Sequence, residues 1–252
     1  MEHSDRRPEI RDAWRVDFAA SEEYALIWEL QRELVRRRQE GQVPDVLLLG
    51  EHPPVVTCGR ATRPEHLRTP PEIVRRMGFG VYEVERGGSV TYHGPGQLVG
   101  YPIVDLRAYG ENVVGFVRML EETVIRTLQG YGISAGRRPG FPGVWVGEEK
   151  VAAVGVAVKR RVTMHGFALN VSTDLDHFQV INPCGIGYTP TSVERLLKRP
   201  VPFQEVQDRY ARAFEEVFGV TLRRVPFGHL LAARGGESLP RDPARSLSLK
   251  SP

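Results

Sequence analysis

The chain is poor in cysteine, in long apolar runs and in charge of one sign. Its 252 residues hold two cysteines, Cys58 and Cys184, too few for a disulfide scaffold and too far apart for a zinc knuckle. That usage points to a reducing compartment, the cytoplasm. No stretch approaches the ~18 consecutive apolar residues of a membrane span. Met1–Asp12 is charged and lacks the apolar core of a secretory signal, so no membrane association is expected. Lys plus Arg is 34 against 31 for Asp plus Glu, a net charge of +3, and no long basic run breaks the body of the chain. A surface that tracks nucleic-acid phosphates needs more than this. The seven histidines form no H-x-x-x-H pattern and the cysteines no C-x-x-C, so no metal site is expected. A Walker A ending, a dinucleotide-binding fingerprint and a G-x-S-x-G elbow are also missing.

What is abundant is glycine and proline. The 26 glycines and 19 prolines make about 18% of the chain, against roughly 12% on average. They concentrate in three windows, 86–102, 136–147 and 183–190. Such windows read as fixed turns and as backbone that must approach something closely.

Periodicity supplies the elements. Residues 1–12 and 231–252 read as flexible tails around a single domain, 13–230, because the second is rich in Gly, Pro, Ser and Arg and lacks aromatics. Ser21 before Glu22 and Glu23 predicts a helix start, Ile27, Leu30 and Leu34 its stripe, and Gly41 its end. Val113, Val117, Leu120, Val124 and Leu128 give the cleanest helix, and Val206, Tyr210, Phe214 and Val217 a late one. Short strands are expected at Val46–Leu49, Val55–Cys58, Val81–Glu85 and Leu98–Val104. Val144–Val146, Val151–Val158 and Phe167–Val171 read as hairpin strands. Paired strands and few helices predict an α+β fold, with a mixed, largely antiparallel sheet and flanking helices.

Chemistry concentrates in three places. Arg86-Gly87-Gly88-Ser89-Val90-Thr91-Tyr92-His93, followed by Gly94-Pro95-Gly96-Gln97, mixes glycines with side-chain donors. Taken alone it also fits a glycine-rich hairpin with surface polar groups. Lys150-Val151-Ala152-Ala153-Val154-Gly155 is a thin strand that a ligand can lie against, and Thr163-Met164-His165-Gly166-Phe167-Ala168 continues that open face. A lysine at a strand edge is also an ordinary gatekeeper. Cys184 sits between Pro183 and Gly185 on a turn, where a thiol can be exposed and activated by a nearby cation. Cys58, within Val55–Cys58, fits an inert buried thiol.

These segments, together with Gly50-Glu51-His52-Pro53-Pro54 and Thr191-Ser192, resemble the octanoyl-acyl-carrier-protein:protein N-octanoyltransferases, the lipoyl(octanoyl) transferases of lipoate biosynthesis. Order and spacing agree over roughly residues 20–220. Two positions depart: Cys58 stands where the family commonly has an apolar residue, and Arg161 where it commonly has Trp. The resemblance implies a fold like that of biotin and lipoate protein ligases. It implies that Cys184 carries the octanoyl group as a thioester with Lys150 beside it as activator, His93 and His165 being the alternative bases. It further implies that Arg86, Gly87, Gly88, Ser89, Val90, Thr91, Tyr92, His93, Ala153, Val154, Gly155, Gly166, Phe167 and Ala168 line the substrate site.

The expected donor is octanoyl-acyl carrier protein. The expected acceptors are lysines on the lipoyl domains of 2-oxoacid dehydrogenases and on the glycine cleavage H protein. No cofactor is needed, because thioester exchange is nearly isoenergetic and thioester to amide runs downhill. A monomer is expected. Three rivals remain at this point: an ATP-dependent lipoate or biotin ligase of the same fold, a non-catalytic module that binds acyl carriers or lipoyl domains, and a Cys–His hydrolase.

Overall fold

The structure is a computed structural model that describes residues 11–18, 21–182 and 188–232. In chain order, the first part runs β1 (Arg11–Asp17), α1 (Tyr24–Gln39), β2 (Asp45–Gly50), β3 (Val55–Cys58), α2 (Pro71–Arg76), β4 (Gly80–Glu83), β5 (Val90–His93), β6 (Gln97–Ile103) and α3 (Val113–Gln129). The second part runs β7 (Gly136–Arg138), β8 (Phe141–Val146), β9 (Glu149–Lys159), β10 (Val162–Asn170), β11 (Thr189–Pro190), α4 (Val193–Leu197), α5 (Phe203–Phe218), β12 (Val220–Arg224) and α6 (Phe227–Ala232).

Among the described residues the main sheet is ordered β12-β1-β2-β6-β10-β9-β8-β7, with β11 beside β9. β1 is parallel to β12 and β2, β11 is parallel to β9, and the remaining pairs are antiparallel. A small second sheet, β4-β3-β5, stands beside it. This is the mixed, largely antiparallel α+β architecture expected.

The sheet is covered on both faces. One face packs on α3 and α5 through Phe116, Leu120, Val124, Leu128, Val206, Tyr210 and Phe214. The other packs on α1 through Ile27, Leu30 and Leu34. β2 sits between the layers, and its Val46-Leu47-Leu48-Leu49 run is buried on both sides. The stripe of α3 is anchored by Asn112, whose side chain accepts from the amides of Val114 and Gly115 at 3.0 and 3.2 Å.

α1 begins later than its sequence suggested. Ser21 lies in a left-handed turn (φ +64°) and Glu23 precedes the helix without capping through its side chain. The other end is as expected: the amides of Gly41 and Gln42 return to the carbonyls of Arg38 and Arg37 at 3.2 and 2.9 Å, closing the helix. Arg11 and Asp12, read as part of a tail, are in β1, paired with Val220 and Thr221; Leu231 and Ala232 are in α6. The strand read at Val81–Glu85 stops at Glu83. Arg161 lies at the tip of the β9–β10 hairpin, at the opposite end of β9 from Lys150.

Candidate active site

The floor of the site follows from strand register. Ala153 of β9 faces Ala168 of β10, and Gly155 faces Gly166. Alternation directs this set toward the α1 side. Val154 and Phe167 also border the cavity, while the alternation packs their side chains on the other face, where Phe167 stacks on Tyr210 at 4.1 Å. Small side chains on the floor leave a cavity of about 220 Å³. Gly155 lets the neighbouring loop come close, since a Cβ there would press on the carbonyl oxygen of Gly87 at 3.0 Å. The Gly87 amide also donates to Val156 O at 2.8 Å, which ties the 86–89 loop to the sheet and makes it the cavity's wall.

Arg86 turns into that wall. Its guanidinium donates to Thr57 O (2.6 Å), Thr57 Oγ1 (2.9 and 3.3 Å), Ser89 O (2.6 Å) and Gly87 O (3.2 Å). The residue borders the cavity, yet these contacts fold the loop onto β3. Ser89 is held by His66: the Arg63 amide donates to His66 Nδ1, so the Ser89 hydroxyl donates to the same nitrogen, at 2.5 Å.

Thr91 and His93 of β5 border the cavity, with Val90, Gly87 and Gly88 alongside. Tyr92 does not. The two-residue period turns it into the second sheet's core, against Phe79 and Phe178, and its hydroxyl meets His177 Nδ1 at 2.7 Å.

His93 starts a chain of hydrogen bonds. The Gln97 amide nitrogen donates to Tyr92 O and Asn170 Oδ1, so its oxygen faces His93, which donates from Nδ1 at 2.7 Å. Asn170 Nδ2 donates to Thr191 O at 2.9 Å, and the Thr191 amide donates to Lys150 O at 3.0 Å. Burial, reinforced by nearby His52, holds the His93 imidazole down to about 3. His52 donates to Glu22 O at 2.6 Å and accepts from the Tyr101 hydroxyl at 2.8 Å; burial holds it to about 4.

His165 borders the cavity in a left-handed conformation (φ +57°), with its amide donated to Gln31 Oε1 at 2.8 Å. Its Nε2 lies 3.3 Å from Glu85 Oε2. Burial lowers its imidazole despite that carboxylate. Burial would raise Glu85, but His165 and Arg32 outweigh it and hold the carboxyl near 2.

Lys150 borders the cavity at the start of β9. A bulge between Val144 and Trp145 sets Trp145 opposite Lys150. The ammonium lies 5.2 Å from the Trp145 ring centre and 5.0 Å from that of Tyr188. The two rings meet edge-on at 5.7 Å. Gly143 (φ +124°) makes room for the stem, since a Cβ there would stand 2.5 Å from Lys150 Cε. β11 runs parallel to β9 at Glu149 and Lys150, so the chain is fastened to the lysine right after Tyr188. On the other side of the 183–187 segment, the Asn182 amide donates to His66 O at 2.8 Å. Cys184 itself lies outside the described residues.

Cys58 is buried in the second sheet's core, where burial pushes its thiol up to about 11. The aromatic walls, Tyr24, Tyr101, Phe141, Trp145 and Tyr188, were not anticipated. They come from distant segments; the one local signal was the Gly- and Pro-rich window around Phe141 and Trp145. Among the described residues no group of three or more His, Cys, Asp or Glu could hold a metal ion, and no helix is long and apolar enough to cross a membrane.

The architecture has known counterparts. A putative lipoate protein ligase from T. acidophilum with bound lipoic acid superposes with a TM-score of 0.68 at 18% identity, covering 88% of this chain and 92% of that one. Residues 23–215 match the lipoyl protein ligase A/B catalytic domain, which defines the class of enzyme. Within that class, an octanoyltransferase of Solibacter usitatus is 47% identical over 89% of this chain and 98% of its own length. Another, of Rubrobacter xylanophilus, is 50% identical over 78% and 89%. The chain belongs to the octanoyltransferase family, acyltransferases of protein lipoylation.

Proposed function

We propose that the enzyme takes its octanoyl group from octanoyl-acyl carrier protein, holds it on Cys184 as a thioester, and passes it to a lysine ε-amine of a lipoyl domain. The observation that carries this reading is a slot with a small-residue floor that reaches the Lys150 ammonium, in a chain whose relatives are octanoyltransferases. Each buried methylene contributes about 0.8 kcal/mol, so a slot of fixed depth selects chain length.

In the first half-reaction the Cys184 thiolate attacks the donor carbonyl. The tetrahedral intermediate collapses and expels the carrier's thiol, which takes a proton. In the second, the acceptor amine attacks the Cys184 thioester, loses a proton, and releases the Cys184 thiol. Cys58 is unsuited to the role, being buried away from the cavity with a raised thiol. His93 and His165 are buried and held weakly basic, which favours Lys150 as the partner of the thiol, as proton acceptor or as fixed charge.

The single-domain organisation, the cytoplasmic setting, the monomeric state and the acceptors named above belong to this proposal. The test is intact mass after mixing with octanoyl-acyl carrier protein. One octanoyl adduct is expected, discharged by hydroxylamine and absent after alkylation of Cys184. A hydroxylamine-labile adduct that persists on Cys184→Ala would refute the thioester on Cys184. Transfer from free octanoate that requires ATP would make the protein a ligase instead.

A further inference from the structure

We infer that Trp145 and Tyr188 are positioning residues that cradle the Lys150 side chain as an ammonium, so that it serves acyl transfer by its charge and not as a proton acceptor. The inference rests on the reading of Lys150 in the proposed function and decides between the two roles left open there.

The geometry is that of a cation between ring faces. Both ring centres lie within the ~6 Å over which an aromatic quadrupole attracts a cation. The rings meet edge-on, so one wall braces the other. The stem is confined by Gly143, whose bare Cα it crosses. An amine that had lost its proton would draw no such attraction from either ring.

Charged groups on the surrounding elements make the following pairs. Glu148 pairs with Arg138 at 3.0 Å, and Arg138 also stands 5.2 Å from the Trp145 ring centre. Glu149 faces Arg195 at 3.8 Å. Glu121 of α3 pairs with Arg137 at 3.2 Å and accepts the Gly143 amide at 2.8 Å. The cradle also depends on the chain after residue 187. Tyr188 reaches the lysine because β11 is paired to β9 at that point.

The test is the pH profile of octanoyl transfer from a small thioester donor, octanoyl-pantetheine, which removes carrier docking from the measurement. If Lys150 works as an ammonium, activity falls on the alkaline side as it loses its proton. Tyr188→Leu should then move that alkaline limb down by about half a unit to one unit, and Trp145→Leu likewise. Tyr188→Phe and Trp145→Phe, which keep a ring, should leave the limb in place. A downward move of the acid limb, with activity gained near pH 6, would overturn the inference and make Lys150 the base. Limbs that stay put in both Leu variants would overturn it as well, leaving the rings a packing role. Lys150→Ala separates this from the parent reading: full activity and an unchanged profile in that variant would remove Lys150 from the reaction altogether.

Discussion

Replacing Arg86 by Leu tests what the glycine-rich wall is built on. The guanidinium is 8% exposed and makes two 2.6 Å bonds, to Thr57 O and Ser89 O, with three longer contacts around them. A hydrogen bond from a charged donor contributes about 1.5–3 kcal/mol, so losing the two short ones costs about 3–6 kcal/mol. The whole domain has only about 5–15 kcal/mol to lose. Arg86→Lys keeps the charge but not the fork that reaches Thr57 and Ser89 together, so it should lose roughly half as much. Urea unfolding of the three proteins at one pH gives the difference directly. Octanoyl transfer measured below the transition should show a raised KM for the donor in both variants, because the wall it leans on has loosened. A stability loss under about 1 kcal/mol for Arg86→Leu, joined to a large loss of donor affinity, would refute this reasoning. Arg86 would then be a substrate ligand, as its sequence context first suggested.

Three further outcomes follow from the same structure. Ala153→Leu puts three carbons into the slot and should displace about as many methylenes, costing about 2 kcal/mol, or roughly thirtyfold in kcat/KM for octanoyl donors, while hexanoyl donors lose less; equal losses for both lengths would sink the slot assignment. His52 and His93 are neutral in the fold, held to about 4 and about 3, whereas in the unfolded chain they take up protons near 6.5. Their contribution is complete above pH 6.5 and drains away as pH falls toward 4, so unfolding free energy should drop by about 2 kcal/mol per histidine between pH 7 and 5; a flat curve contradicts the burial argument. Arg160 and Arg161 form the two-residue β9–β10 turn with φ of +48° and +71°, so Arg160→Asn combined with Arg161→Gly should stabilise by about 1–2 kcal/mol, read from the denaturation midpoint; no gain would mean the turn is not strained.

Local patterning carried a good part of the fold. α3 and α5 were legible because their apolar residues recur at helical spacing, and β8, β9 and β10 because β-rich stretches alternate with short polar turns. β1 was missed because Arg11-Asp12-Ala13-Trp14-Arg15-Val16-Asp17 is studded with charges. Its arginines find partners far away in sequence, as Arg15 does in Asp208 at 2.6 Å. Of the candidate site, the gathering of glycine loop, lysine and small-residue strands around one cavity was legible. Which way each side chain turns was not. Tyr92 faces away through strand parity, and Arg86 faces inward because Thr57 and Ser89 offer it acceptors. The aromatic walls required the tertiary fold, for Tyr24, Tyr101, Trp145 and Tyr188 come from four separate segments.

The amide chain from His93 through Gln97, Asn170 and Thr191 to the Lys150 carbonyl has a consequence for how such an enzyme can diverge. It fixes where the lysine stands by backbone register and polar side chains, whereas the slot is shaped by the bulk of residues on the β9–β10 floor. Shaping the cavity and keeping the lysine in place are thus written in different residues. On the proposed function, single substitutions on that floor would lengthen or shorten the acyl group handled, and the anchoring of the lysine would stay unchanged.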